Sequence, residues 1–165
     1  MAGNVKAVPE GTHTITPHLV VQDASKAIEF YRKAFGAEVE GVHRAPNGKV
    51  MHAELRIGDS RIFMADEFPD MGGHCTSPKT LGGTSITLNL YSENVDKLFN
   101  QAVAAGATVT MPLANQFWGD RYGQVKDPFG HAWALGQHVE DVAPEELERR
   151  SRELFAPKAK KAGQS

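Results

Sequence analysis

The sequence predicts an α+β fold of two βαβββ modules, forming a curved, cup-like sheet with its helices outside. Three observations carry the expectation. A polar-capped amphipathic stretch from Asp23 to Gly36 runs into Ala37-Glu38-Val39, and about seventy residues on Glu93 to Gly106 runs into Ala107-Thr108-Val109. Ala34, Gly36, Ala37 and Val39 fall on Ala104, Gly106, Ala107 and Val109. Near the end of each copy, Gly58-Asp59-Ser60-Arg61-Ile62-Phe63 parallels Gly130-His131-Ala132-Trp133-Ala134-Leu135. Such a period is too long for one solenoid unit and marks two copies of one supersecondary module.

The elements follow in order. Ile15 to Val21 reads as a strand, and Asp23 or Ser25 can cap the helix after it. Ala24, Ala27, Ile28, Tyr31 and Phe35 recur at helical spacing, and Gly36 suits the left-handed residue that ends a helix. Strands are predicted over Glu38 to Arg44, Val50 to Ile57 and Arg61 to Ala65, with turns at Pro46-Asn47-Gly48 and Gly58-Asp59-Ser60. A connector rich in Gly, Pro, Ser and Asp spans Asp66 to Gly83. The second module repeats the order: strand Ser85 to Tyr91, helix Val95 to Ala105, then strands Thr108 to Met111, Tyr122 to Lys126 and Ala132 to Gln137. Val95, Leu98, Phe99, Ala102 and Val103 form its helical stripe. Pro144 opens a third helix, with acids early and arginines late, as the helix dipole favours. The domain therefore spans 12–140, with modules 12–66 and 83–140, followed by a helix over 141–156 and a disordered tail over 157–165.

At 165 residues and 41% hydrophobic content the chain can bury a real core. A formal net charge of −2 gives no general attraction to nucleic acid or membrane. No apolar run approaches the roughly 20 residues of a membrane span, and Met1 to Gly11 lacks the apolar centre of a signal peptide. The single cysteine, Cys75, has no partner in the chain, which fits a reducing cytoplasm. No phosphate loop or dinucleotide fingerprint appears, so no cofactor is expected; Gly72-Gly73 and Gly82-Gly83 are turn-like.

Strand alternation sorts side chains into two faces. Ala53, Leu55 and Ile57 alternate with His52, Glu54 and Arg56, while Ile86, Leu88 and Leu90 alternate with Thr87, Asn89 and Tyr91. The apolar sets belong under the helices. The polar sets, with His18, are expected to line one cup. Glu54 is a candidate general base if desolvation raises its pKa, and His52 a candidate proton shuttle. Phe117, Trp118, Arg121 and Tyr122 surround Gly119 and Asp120 in a stretch that reads either as an aromatic lid over a ligand or as a plug at the sheet end. Cys75, next to His74, lacks an orienting group for a nucleophile, and His131 is expected to be structural.

The doubled pattern resembles the vicinal oxygen chelate superfamily, which includes glyoxalase I, bleomycin-resistance proteins and extradiol dioxygenases. Ile28-Glu29-Phe30-Tyr31-Arg32-Lys33-Ala34-Phe35-Gly36 and Asp127-Pro128-Phe129-Gly130-His131 carry the resemblance. Phe117-Trp118-Gly119-Asp120-Arg121-Tyr122-Gly123 and Leu81-Gly82-Gly83-Thr84 are similar to its PhnB-like branch. The resemblance implies a small-molecule ligand and a homodimer, since many members build each pocket from two chains. It does not identify a reaction, because this fold hosts many chemistries. Metal-using members place ligands at positions that match Thr16, Glu54, Thr87 and Ala134 here. Only Glu54 is an ordinary ligand, whereas a catalytic site needs about three, so no metal is expected there; a rearranged site of His18, His52 and Glu54 is the alternative. Two functions follow as expectations: sequestering an aromatic or apolar compound, as bleomycin-resistance members do, or acid-base catalysis by Glu54 and His52. A third is an interaction module whose cup is filled by its own side chains.

Overall fold

The computed structural model describes residues 6–71 and 75–156; His74 and the predicted tail lie outside the described residues. Strands β1 (His18–Val21), β2 (Glu38–Arg44), β3 (Val50–Ile57) and β4 (Ser60–Asp66) form one sheet in the order β1-β4-β3-β2, with helix α1 (Ala24–Phe35) crossing between β1 and β2. A short helix α2 (Pro78–Leu81) leads to the second module. There β5 (Thr87–Tyr91), β6 (Thr108–Asn115), β7 (Asp120–Lys126) and β8 (Ala132–His138) repeat the topology as β5-β8-β7-β6, with α3 (Val95–Ala105) as crossover. In each sheet the first strand runs parallel to the last, and the other pairs are antiparallel. Helix α4 (Pro144–Phe155) closes the described chain.

The repeat extends to the hydrogen bonds that start and stop the crossover helices. Asp23 caps α1 by accepting from the Lys26 N–H at 3.0 Å, and Asn94 caps α3 by accepting from Lys97 at 3.0 Å. The next backbone N–H in each helix finds its acceptor on the module's last strand: Ala24 donates to Asp66 at 2.8 Å and Val95 to Gln137 at 3.2 Å. Gly36 and Gly106 end the helices in left-handed conformations, with φ of 67° and 119°.

Strand boundaries differ from the sequence expectation where proline or an edge intervenes. β1 begins at His18, after Pro17, and leaves Ile15 exposed. β6 continues through Pro112 to Asn115 with two register shifts, as an edge strand permits. β7 begins at Asp120, two residues early. Leu55, Ile57, Trp133 and Leu135 are buried beneath the helices as alternation predicts. Ile86 is not. It precedes β5 and is 67% exposed, while Leu88 and Leu90 are half-buried against the core.

A single core serves both modules, because α1 and α3 lie against each other. Gln101 on α3 donates its amide to the carbonyls of Lys33 and Ala34 at the end of α1, at 2.7 and 3.3 Å. Phe35 and Tyr31 of α1 meet Trp133 of β8 with ring centroids 4.6 and 5.5 Å apart. At the centre, the buried Asp127 carboxylate accepts from Tyr31 Oη at 2.5 Å, Trp133 Nε1 at 2.9 Å and the N–H groups of Phe129 and His131, both at 2.9 Å. This turn aspartate therefore fastens the helix of one module to the last strand of the other.

Candidate functional site

Because the apolar sides of both sheets share that core, the polar faces lie on the sides of the sheets away from it. The residues predicted to line one cup fall into two groups, His18, His52, Glu54 and Arg56 on the first module and Thr87, Asn89, Tyr91, Trp118 and Tyr122 on the second.

On the first face, β1, β4 and β3 bring His18, Phe63 and Glu54 into one cross-strand row. The His52 ring lies 4.9 Å from Phe63 and 6.2 Å from His18, and its Nε2 is 3.3 Å from Glu54 Oε1. Partial burial, then the neighbouring His52, lowers the His18 pKa below the ordinary 6.5. Arg56 is engaged elsewhere. It pairs with Glu38 and Glu40 of β2 and donates to Gly58 O, so it does not stand as a free cation over this face. Phe63 was not foreseen as a site residue. Its parity with Arg61, opposite to Ile62 and Met64, was the signal for it.

On the second face, the equivalent row is Asn89, Ala134 and Gln124. Tyr122 accepts from Gln124 Nε2 at 2.9 Å, and its ring stands edge-on to Trp118 with centroids 5.5 Å apart. Phe117 lies edge-on to Trp118 at 5.1 Å. Tyr91 rests across Gly136, where an added Cβ would come within 3.2 Å of the ring. Its hydroxyl donates to Asp120 Oδ2 at 2.9 Å, as does Trp118 Nε1 at 3.2 Å. His138 Nδ1 sits 2.9 Å from the other oxygen, Oδ1. Asp120, Gln124 and His138 were missed by sequence reasoning, although alternation with Tyr122 in β7 and with Ala134 and Gly136 in β8 places them on this face.

Two expectations for the aromatic segment are corrected. Arg121 faces the helix side, where its guanidinium pairs with Asp96 of α3 through Nη2–Oδ1 at 2.6 Å and Nε–Oδ2 at 2.7 Å. The early start of β7 gives it the parity opposite to Tyr122. The segment is also not a hinged lid, because it is the tight turn between β6 and β7. The Gly119 carbonyl accepts from the N–H groups of Val139 and Glu140 at 2.9 and 3.0 Å. With φ at 97° and the Glu140 carbonyl 2.1 Å from where a Cβ would stand, only glycine fits there.

The superfamily's metal does not fit these residues. Thr16 precedes β1, and β8 presents the methyl of Ala134 opposite Asn89. The corresponding strand pair of the first module presents His18 opposite Phe63. Among the described residues no three His, Cys, Asp or Glu side chains are grouped to hold a metal ion, the His18, His52 and Glu54 set included. Among the described residues no helix is long and apolar enough to cross a membrane.

Two βαβββ modules joined through one helical core, each with a polar sheet face outside it, define a paired-module α+β fold. Residues 12–135 match the profile of the Glyoxalase/Bleomycin resistance protein/Dioxygenase superfamily, and the chain belongs to it. It is 49% identical over 135 residues to an uncharacterized protein of Mycobacterium bovis, covering 81% of this chain and 89% of that one. Among solved structures it is similar to TioX from Micromonospora sp. ML1, with 25% identity, a TM-score of 0.62 and coverage of 77% and 99% of the two chains. A PhnB protein from Bacillus cereus shares the fold at 21% identity, with a TM-score of 0.60 over 76% and 99%.

Proposed function

We propose that this protein binds a planar aromatic or apolar small molecule in a cup completed by a second copy of the chain, without the superfamily's usual metal. The first-module face of one copy stands opposite the second-module face of the other. The observation that carries this reading is the packing of α1 against α3, which buries the apolar sides of both sheets in one core and leaves both polar faces outside it. Exposed apolar side chains support the same partner. Crevices of about 380 and 460 Å³, each lined by residues of both modules, run beside the edge strands β1 and β5, and Ile15, Leu81 and Ile86 stand exposed along them. Tyr91, Trp118 and Tyr122 supply stacking area, while His18, His52 and Glu54 orient a polar edge of the ligand.

Sedimentation velocity tests the assembly, and a monomer at micromolar concentration ends the two-chain cup. A screen of planar aromatic compounds by tryptophan fluorescence, with Trp118→Phe as control for the buried Trp133, tests binding; a response unchanged in Trp118→Phe counts against it. The His52–Glu54 contact favours one second reading, acid-base catalysis on a carbonyl-like substrate. Glu54→Gln separates the two. A binder loses about 1–3 kcal/mol of affinity where a buried hydrogen bond is broken, whereas an acid-base enzyme keeps binding and loses roughly 10²–10⁴-fold in rate.

A further inference from the structure

The second-module face holds a polar cluster that its counterpart in the first module lacks. Asp120 is 6% exposed, yet it accepts from Tyr91 and Trp118 on one oxygen and meets His138 Nδ1 on the other. His138 Nε2 lies 2.9 Å from Oδ1 of the exposed Asp141. A carboxylate accepts, and a neutral imidazole carries only one N–H. Both contacts are satisfied together only when the ring is doubly protonated. We propose that the His138 imidazolium is a proton-dependent clamp that ties the strap leading into α4 to Asp120, and that Asp120 in turn positions the Tyr91 and Trp118 wall.

The surroundings single out this link as the one that titrates near neutrality. The strap is otherwise held by permanent donors. Val139 and Glu140 donate backbone N–H groups to Gly119, while Arg150 of α4 pairs with Glu140 at 2.6 Å and donates to Phe117 O at 3.4 Å. The groups facing His138 are Asp120 from β7, Asp141 from the strap, and Tyr91 and Glu93, which share its open recess with Ser92 and Gln137. Among the contacts of Asp120 only His138 can carry a positive charge. Its proton loss leaves a buried carboxylate without a counter-charge, and the one N–H that the neutral ring keeps can serve Asp120 or Asp141 but not both, so the link through the ring is broken. Hydrogen bonds to Asp141, then Asp120, raise the His138 pKa from 6.5. Burial pushes Asp120 up, but the bonds from His138, Tyr91 and Trp118 outweigh it and hold the carboxyl below its ordinary range. The sign follows. The clamp is fully closed below pH 6.5, the ordinary histidine value, and opens as pH rises through the raised pKa.

Nuclear magnetic resonance of the ligand-free full chain tests this. The His138 ring should titrate above 6.5 with both nitrogens protonated at low pH. The Trp118 indole N–H should shift, and lose exchange protection, at the same midpoint. His138→Gln, which keeps an amide donor for Asp120, should abolish the Trp118 step, and Asp141→Asn should move it to lower pH. A Trp118 signal that is flat with pH, a step that survives His138→Gln, or a His138 midpoint at or below 6.5 overturns the clamp. The consequence for ligand capture rests on the proposed binding function and has its own readout. The affinity for anilinonaphthalene sulfonate, an aromatic probe, should weaken about 2- to 10-fold across the midpoint, the worth of one hydrogen bond. Probe binding that ignores pH while Trp118 titrates refutes the coupling to capture. No probe binding with the Trp118 step intact counts against the binding function and leaves the clamp standing.

Discussion

Tyr31→Phe isolates one buried bond that joins the two modules. Tyr31 is fully buried, and its hydroxyl donates to Asp127 Oδ2 at 2.5 Å. Burial, then the Asp127 charge, raises its pKa well above 10, so it remains a donor across the working pH range. Phenylalanine keeps the ring stacked on Phe35 at 5.9 Å and tilted against Trp133 at 5.5 Å, so the change creates almost no cavity. What is lost is one hydrogen bond to a buried carboxylate, worth about 1.5–3 kcal/mol. Asp127 keeps three donors, which bounds the loss. Urea unfolding followed by circular dichroism should show a lower midpoint at unchanged m-value. Asp127→Ala should cost more than Tyr31→Phe or Trp133→Phe, because it strands every donor at once. A Tyr31→Phe loss under about 0.5 kcal/mol, the range of ordinary surface changes, would refute the claim that this network joins the modules.

Two further outcomes follow from the faces. Leu55→Ala, at a fully buried position, should cost about 2–5 kcal/mol, and Thr87→Ala, on the exposed face of β5, should stay within about 0.5 kcal/mol by the same urea assay. His18 should titrate below 6.5 by nuclear magnetic resonance, opposite in direction to His138. Because its folded pKa is depressed, the stability it contributes is present above 6.5 and is lost as pH falls through the lowered value, a trend that His18→Asn should remove.

What the sequence made legible was whatever depends on local period. The repeat, the caps Asp23 and Gly36, and the burial of Leu55, Ile57, Trp133 and Leu135 all follow from helical or strand spacing. Ile86 went astray because it lies just outside β5, where the alternation that covers Leu88 and Leu90 no longer holds, and Arg121 because the early start of β7 gives it the facing opposite to Tyr122. Where the two modules touch was not legible in the spacing, because a helix that covers only its own sheet and one that also meets the other helix can carry the same period. Only Phe30, Tyr31 and Phe35, three aromatics on one helix, hinted that α1 had more to cover than its own sheet. Phe30 indeed meets Phe129 of the second module at 6.0 Å.

The divergence of the two faces bears on the assembly proposed above. Their rows occupy equivalent positions, yet one carries His18, Phe63 and Glu54 and the other Asn89, Ala134 and Gln124. At the two polar positions a titratable group in the first module is replaced by a neutral amide in the second. If like faces met across a dimer axis, two Glu54 carboxylates and two pairs of histidines would share one partly dry space, and each would raise the cost of ionising its twin. If unlike faces meet, each cup receives one ionisable row opposite one amide row, and Asn89 and Gln124 can serve as donor or acceptor to whichever form the histidines and carboxylate adopt. In the proposed assembly the repeat thus supplies two half-sites at equivalent positions, and their divergence makes them complementary.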